Sequence, residues 1–169
     1  MRRALGWSIC VLAVAILLIP ALAQGNRGKA ELTVDSGKIV VDYGRPSLKG
    51  RDMLSQFKDG STWRMGMNQA TTLTTPVDLS FGGTKIAKGS YSLFLGKTGE
   101  AFELVFNSQT GQWGTQHDAA KDVAKVPMKA ENLSSPVETF TIDLTKAPGG
   151  GVFSLSWGAK KLSANFKAE

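Results

Sequence analysis

Side chains able to recognise a ligand concentrate in two polar stretches. They are Tyr43-Gly44-Arg45-Pro46-Ser47-Leu48-Lys49-Gly50-Arg51 and Trp63-Arg64-Met65-Gly66-Met67-Asn68-Gln69-Ala70-Thr71. A guanidinium presents a planar fork of donors that suits carboxylate or phosphate, and an indole or phenol ring presents a flat face to a sugar. Arg45, Arg51 and Arg64 beside Tyr43, Trp63 and Trp113 thus have the composition of a pocket for a small polar ligand or an envelope glycan. Asn68 and Thr71 would add an amide and a hydroxyl. If Trp63 to Thr71 is extended, Arg64, Gly66 and Asn68 point to one side. A second polar region, Asn107 to Asp122, adds Asn107, Trp113, the sole histidine His117, and Asp118. The same residues also suit a purely structural clasp. In that arrangement Arg45 and Arg51 bond loop carbonyls or pair with Asp42 and Asp52, and Arg64 bonds carbonyls of the Tyr43 to Arg51 loop. Trp63 plugs the end of the fold, and Asn68 and Thr71 cap turns.

Catalytic chemistry has less behind it. A catalytic metal centre wants several His, Cys or carboxylate ligands at recognisable spacing, and one histidine with Asp118 and Asp122 falls short. No Gly-x-Ser-x-Gly elbow is present to expose a serine nucleophile. Gly82-Gly83 and Gly111-Gln112-Trp113-Gly114 lack the Lys-Ser/Thr ending and the following helix of a phosphate loop. Glycoside hydrolysis needs two facing carboxylates. Asp42, Asp52, Asp59, Asp118 and Asp122 are available, but their spacing pairs none of them. No cofactor or metal is expected. A binding module for a small polar ligand, a carbohydrate or an envelope partner is the leading reading. A structural or stress-related envelope protein without a pocket, and a hydrolase, are the alternatives.

These groups must be positioned by what remains after targeting. Arg2 and Arg3 precede an apolar run from Leu5 to Leu22 that ends in Ala21-Leu22-Ala23, the pattern of a signal peptide over residues 1–23 cleaved before Gln24. Cleavage implies a periplasmic or secreted protein with no stable membrane insertion. It also removes the one cysteine, Cys10, so the mature chain has no disulfide. The formal charge of +6 includes Arg2 and Arg3, and the lysines scatter from Lys29 to Lys167 without forming a basic stripe or reader helix. Nucleic acid is therefore not an expected partner. Nothing in the sequence sets an oligomeric state.

The mature length is that of one domain with a real core. Residues 24–30 read as a flexible leader, with the domain over 31–169. Strand patterns follow one another: Glu31 to Val34, Lys38 to Tyr43 with Ile39, Val41 and Tyr43 inward, and Thr71 to Ser80 interrupted by Pro76. Tyr91 to Leu95 and Ala101 to Phe106 form a hairpin across Gly96-Lys97-Thr98-Gly99. Val123 to Glu131, Val137 to Leu144, Val152 to Trp157 and a last strand through Leu162, Ala164 and Phe166 complete the set. Gly158-Ala159-Lys160 is expected to turn between the last two. Met53 to Phe57 is expected to be a short helical turn or a buried loop anchor. With no long helical pattern and glycine turns at close spacing, the expected fold is all-β, a single-domain β-sandwich of roughly eight to ten short antiparallel strands.

The two opening stretches, together with Gly89-Ser90-Tyr91-Ser92-Leu93-Phe94, Val105-Phe106-Asn107 and Gln112-Trp113-Gly114, resemble the DUF2911 family of exported bacterial proteins. The resemblance runs from Val41 to Trp157. It implies export and supports the fold, and it carries no assigned activity. The chain departs from the family pattern at Asn68-Gln69-Ala70-Thr71, where Asn-Glu-Ala-Thr is usual, so a carboxylate there is replaced by the Gln69 amide. A tyrosine is common near His117 in similar proteins, which lowers the weight of His117 as a required catalyst.

Overall fold

A computed structural model describes residues 26–51, 53–54 and 56–169. The expected signal peptide, its cleavage point before Gln24, and Asp52 lie outside the described residues. The strands are β1 (Arg27–Val34), β2 (Gly37–Gly44), β3 (Thr62–Trp63), β4 (Thr71–Thr75), β5 (Leu79–Phe81), β6 (Thr84–Ile86), β7 (Gly89–Thr98), β8 (Ala101–Asn107), β9 (Asp122–Ala147) and β10 (Gly150–Ala168). All pairings are antiparallel, in the order β1-β2-β4-β7-β8-β9-β10-β5-β6, with β3 on β7. The chain is all-β and single-domain, with a β-sandwich-like architecture.

β9 carries the sheet from one layer to the other. Its first part pairs with β8 as far as Met128, and the rest pairs with β10 from Lys129 to Ala147. The two layers meet through alternating apolar positions, because successive side chains of a strand point to opposite faces. Ile39, Val41 and Tyr43 of β2 face Phe140 and Ile142 of β9 and Phe153, Leu155 and Trp157 of β10, all buried in one core. Tyr43 meets Phe140 edge-on at 5.8 Å and donates its hydroxyl to the Ile142 carbonyl at 3.2 Å. Phe81 of β5 lies 5.5 Å from Phe106 of β8. Beyond β2 the chain continues as an antiparallel bridge, Ser47 to Thr139 of β9, with Phe140 N–H donating to the Pro46 carbonyl.

Several sequence expectations change. β1 starts at Arg27, so the end of the expected leader is a paired strand; Arg27 faces Gly44 across the β1–β2 ladder. Pro76 separates two strands, since β4 pairs with β2 and β7 whereas β5 pairs with β10 and β6. Val123 to Glu131 and Val137 to Leu144 belong to one strand, β9, whose Leu133 to Pro136 are extra residues between the Val137–Gly158 and Asn132–Lys160 pairings. No hairpin forms at Gly158: β10 runs through it with register shifts, Gly158 taking the left-handed φ of 62° that a bulge favours. Two strands, β9 and β10, are thus long. Gly150 shows how tightly β10 coils, for a Cβ there would stand 2.1 Å from the Phe166 carbonyl oxygen. Next to the short segment around Met53, Leu54 is buried and Phe57 stacks on Phe102 at 6.4 Å, the contacts of a loop anchor.

Candidate functional site

The polar motifs are locked to one another through backbone contacts. β3 and β4 both pair with β7, and the residues between them, Arg64 to Ala70, form a loop along it that is unpaired with β7 and in which Met65, Gly66 and Ala70 are buried. A Cβ on Gly44 would lie 2.3 Å from the Met67 carbonyl oxygen, and one on Gly66 would lie 2.8 Å from the Gly44 carbonyl oxygen. Bare glycine at both positions lets the two stretches close on each other. Thr71, fully buried, donates its hydroxyl to the Met65 carbonyl at 2.6 Å. The third motif then pairs with the second. Gln69 and Trp113 form an antiparallel bridge, Ala70 N–H donates to the Gln112 carbonyl at 3.1 Å, and Gly114 N–H donates to the Asn68 carbonyl at 2.8 Å. Among the described residues the non-glycine positions with positive φ are Lys49, Met65 and Asn68, all inside the motifs. Such conformations persist only where surrounding contacts over-determine them.

Side-chain direction alternates along Gln112-Trp113-Gly114. Gln112 is 7% exposed and accepts from the Ser92 hydroxyl at 3.2 Å, Gly114 is buried, and Trp113 points outward at 49% exposure. Trp113 is braced by Gln116, whose side-chain oxygen accepts from the Trp113 N–H at 3.2 Å and whose own N–H donates to the Trp113 carbonyl at 2.8 Å. Arg64 passes against Gly114, where a Cβ would meet its Cδ at 2.7 Å, and donates Nε–H to the Gly66 carbonyl at 3.2 Å. Its two terminal nitrogens have no acceptor among the described residues and are not buried. The Gln112 Nε2 is buried with no acceptor.

His117 and Asn107 lie in a separate network. Asn107, fully buried, donates to the Asp118 carbonyl and to Asp122 Oδ1, both at 2.8 Å, and its oxygen accepts from Gln109 N–H. His117 Nε2 is 2.8 Å from the same Asp122 oxygen, and the ring packs 4.4 Å from Phe94. Asp118 caps the 3-10 turn Ala119–Lys121 by accepting from Ala120 N–H. These contacts hold the Asn107 to Asp122 segment on the outward side chains of β7 and β8.

The expected pocket does not assemble as one site. Trp63 faces the core, stacked on Trp157 at 5.2 Å, and so plugs the fold. Tyr43 is likewise a core residue. Arg51 is exposed on its loop, with Nε donating to the Leu48 carbonyl at 3.4 Å. Asp42 is taken by Arg27 and not by Arg45, whose Nε is buried without an acceptor. Arg64 bonds a carbonyl of its own loop instead of the Tyr43 to Arg51 loop. Asn68 has φ 63°, so the segment is not extended and Asn68 does not align with Arg64 as a strand residue would. Structure joins Arg64, Asn68, Thr71 and Trp113, keeps Asn107, His117 and Asp118 together elsewhere, and separates Arg51 and Trp63 from both. Gln112, Gly114 and Arg27 are the residues sequence reasoning missed. The Gln-Trp-Gly motif was the available signal for the first two, whereas Arg27 was hidden in a segment that reads as leader.

Two clefts, of about 380 Å³ beside the β9–β10 turn and about 640 Å³ between the β5–β6 hairpin and β9, are lined by none of the candidate residues. Among the described residues no cluster of three or more His, Cys, Asp or Glu could hold a metal, and no helix is long and apolar enough to cross a membrane. Fold and motifs together define an all-β, sandwich-like protein whose polar segments are fastened to one another, leaving one tryptophan outward. The family model described as Protein of unknown function (DUF2911) matches residues 26–166, and the chain belongs to that family. No curated protein and no solved structure matches it.

Proposed function

We propose that the protein is an exported binding module of the bacterial envelope that takes a small polar or carbohydrate-like ligand on the surface around Trp113. The observation that carries this reading is Trp113 itself, half exposed yet fixed by the Gln69 bridge and both Gln116 bonds. The indole stands outward on a backbone held at both its N–H and its carbonyl, and its amphipathic ring suits a polyhydroxyl partner. The strained Lys49, Met65 and Asn68 lie in the segments that fasten it or adjoin them, as expected where structure is spent on a site. Trp113→Ala should leave the denaturant melt within about 0.5 kcal/mol of wild type while removing glycan binding in calorimetry. Wild type that binds no glycan in such a screen overturns the reading.

A second reading, an envelope protein without a ligand, is favoured by the internal use of Thr71, Asn107, His117 and Asp118. The same pair of measurements separates the two. Export rests on Arg2, Arg3, the apolar run and the Ala21-Leu22-Ala23 site. Intact mass of the protein recovered from the envelope or medium should correspond to a chain starting at Gln24. A mass that retains residues 1–23 refutes cleavage.

A further inference from the structure

We infer that the protein pairs with a second copy of itself along β1, the two β1 strands joining antiparallel about a two-fold axis at Ala30. The sheet path ends on one side in β6, three residues long, and on the other in β1, eight residues long. β1 keeps a single register on β2 from Arg27–Gly44 to Val34–Gly37, and the Arg45 N–H donates to the Asn26 carbonyl at 2.7 Å in that same register. Hydrogen-bonded pairs alternate along an antiparallel ladder, so Gly28, Ala30, Leu32 and Val34 direct their N–H and C=O groups at β2. Arg27, Lys29, Glu31 and Thr33 direct theirs to the other side, where among the described residues they meet no hydrogen-bond partner. The second layer meets β1 through its inward face, for a Cβ on Gly151 of β10 would stand 2.7 Å from Leu32 Cδ2. Lys29, Glu31 and Thr33 are exposed. An edge of this length with neither proline nor bulge is a template for another strand.

Charge along the edge points to a second copy as the partner. Two antiparallel β1 strands pair all four outward residues in one register only, Arg27 with Thr33, Lys29 with Glu31, Glu31 with Lys29 and Thr33 with Arg27. A shift of two residues one way sets Lys29 against Lys29, and the other way sets Glu31 against Glu31. Either shift also leaves one outward residue of each strand without a partner. Like charges directly opposite destabilise a strand pair and opposite charges stabilise it. The register that makes the most backbone bonds is therefore also the one that places two opposite-charge pairs across the junction. Glu31 already accepts from Lys38 at 2.9 Å, and an exposed carboxylate has lone pairs for a second ammonium.

Sedimentation velocity of the exported protein at low salt, over a rising concentration series, tests this. One strand pair is a small interface, so the series runs to high concentration. Wild type should pass from monomer to dimer. Lys29→Glu and Glu31→Lys, both surface changes, should each raise the dimer dissociation constant about ten-fold or more, because each sets like charges at both pairs. An equimolar mixture of the two variants should recover the wild-type dimer, since each then meets the opposite charge in the other. Amide exchange at Lys29, Glu31 and Thr33 should slow as wild type is concentrated, while Gly28, Ala30 and Leu32 are slow throughout. A wild type that stays monomeric, or a dimer that neither variant weakens, overturns the proposal. Variants whose mixture fails to recover the dimer overturn the two-fold register and with it the choice of partner. Slow exchange at Lys29, Glu31 and Thr33 that persists on dilution shows an edge covered within one chain, and overturns the proposal as well.

Discussion

At the scale of single residues, the motifs are held by a few short bonds whose loss is measurable. Thr71 is the clearest, because its hydroxyl is the side-chain donor to the Met65 carbonyl and both residues are fully buried. Valine has nearly the same shape and no hydroxyl, so Thr71→Val strands that carbonyl without opening a cavity. The expected loss is about 1–3 kcal/mol in urea melts, while Thr71→Ser, which keeps the bond, should lose less. A Thr71→Val protein as stable as wild type, with the loss confined to Thr71→Ser, would mean that packing of the methyl group, and not the hydrogen bond, secures the loop. Asn107 plays the corresponding part in the other network, with both ends of its amide used. Trp113 and the terminal nitrogens of Arg64 contrast with these, since among the described residues their side-chain polar atoms have no internal partner.

At the scale of elements, β9 and β10 decide the architecture. A bulge rather than a turn at Gly158 lets β10 run on and coil until Phe166 returns to Gly150. The closure is completed by the Ala168 N–H, which donates to the Gly149 carbonyl at 3.0 Å. Gly150→Ala pushes a methyl into the Phe166 carbonyl and the Lys167 Cα, both backbone atoms that cannot rotate aside. It should cost about 1–3 kcal/mol or more and raise amide exchange across Phe166 to Ala168. A Gly150→Ala protein with a wild-type urea midpoint and unchanged exchange would show that β10 does not close on its own start.

At the scale of the whole molecule, surface ion pairs contribute a pH dependence to stability. Glu31 lies below its ordinary 4.5 because of its bond from Lys38, and Glu131 below 4.5 because of Lys129. Asp78 lies below 3.8, chiefly through the Lys88 backbone N–H and then Lys85. Lys85 and Lys129 lie above 10.5, raised by Asp78 and Glu131. The stabilising effect of the lowered carboxyls is complete above their ordinary values and disappears as pH falls through the folded ones. That of the raised lysines is complete below 10.5 and disappears as pH rises through the folded values. The melting temperature contributed by these pairs should therefore be flat between about pH 5 and 10, with shallow falls on both sides. Glu31, Lys85, Lys129 and Glu131 are exposed and Asp78 is partly so, and 1 M salt should therefore flatten both falls, a comparison made by melts at low and high ionic strength. Falls that persist in high salt would assign the pH dependence to other groups.

What the sequence determined by itself is local. Strand periodicity placed Ile39, Val41, Tyr43, Phe140, Ile142, Phe153, Leu155 and Trp157 inward, because a period of two is a property of the extended backbone alone. The glycine and proline signals marked where chain direction or strand identity changes, and at Pro76 the break is real. Only the tertiary structure decided which breaks are turns. Gly158 turns if no partner strand spans it and bulges if one does, and β9 spans it. The same holds for the candidate site. Residue types showed that Arg45, Arg51, Arg64, Trp63 and Trp113 could recognise a ligand, but a tryptophan reads alike in a core and on a surface. Pairing with β7 turned Trp63 inward against Trp157, and pairing of Gln69 with Trp113 turned Trp113 outward. What each arginine meets depended on other segments, the bare Gly114 beside Arg64 and the Asp42 taken by Arg27, contacts that exist only once the strands have paired.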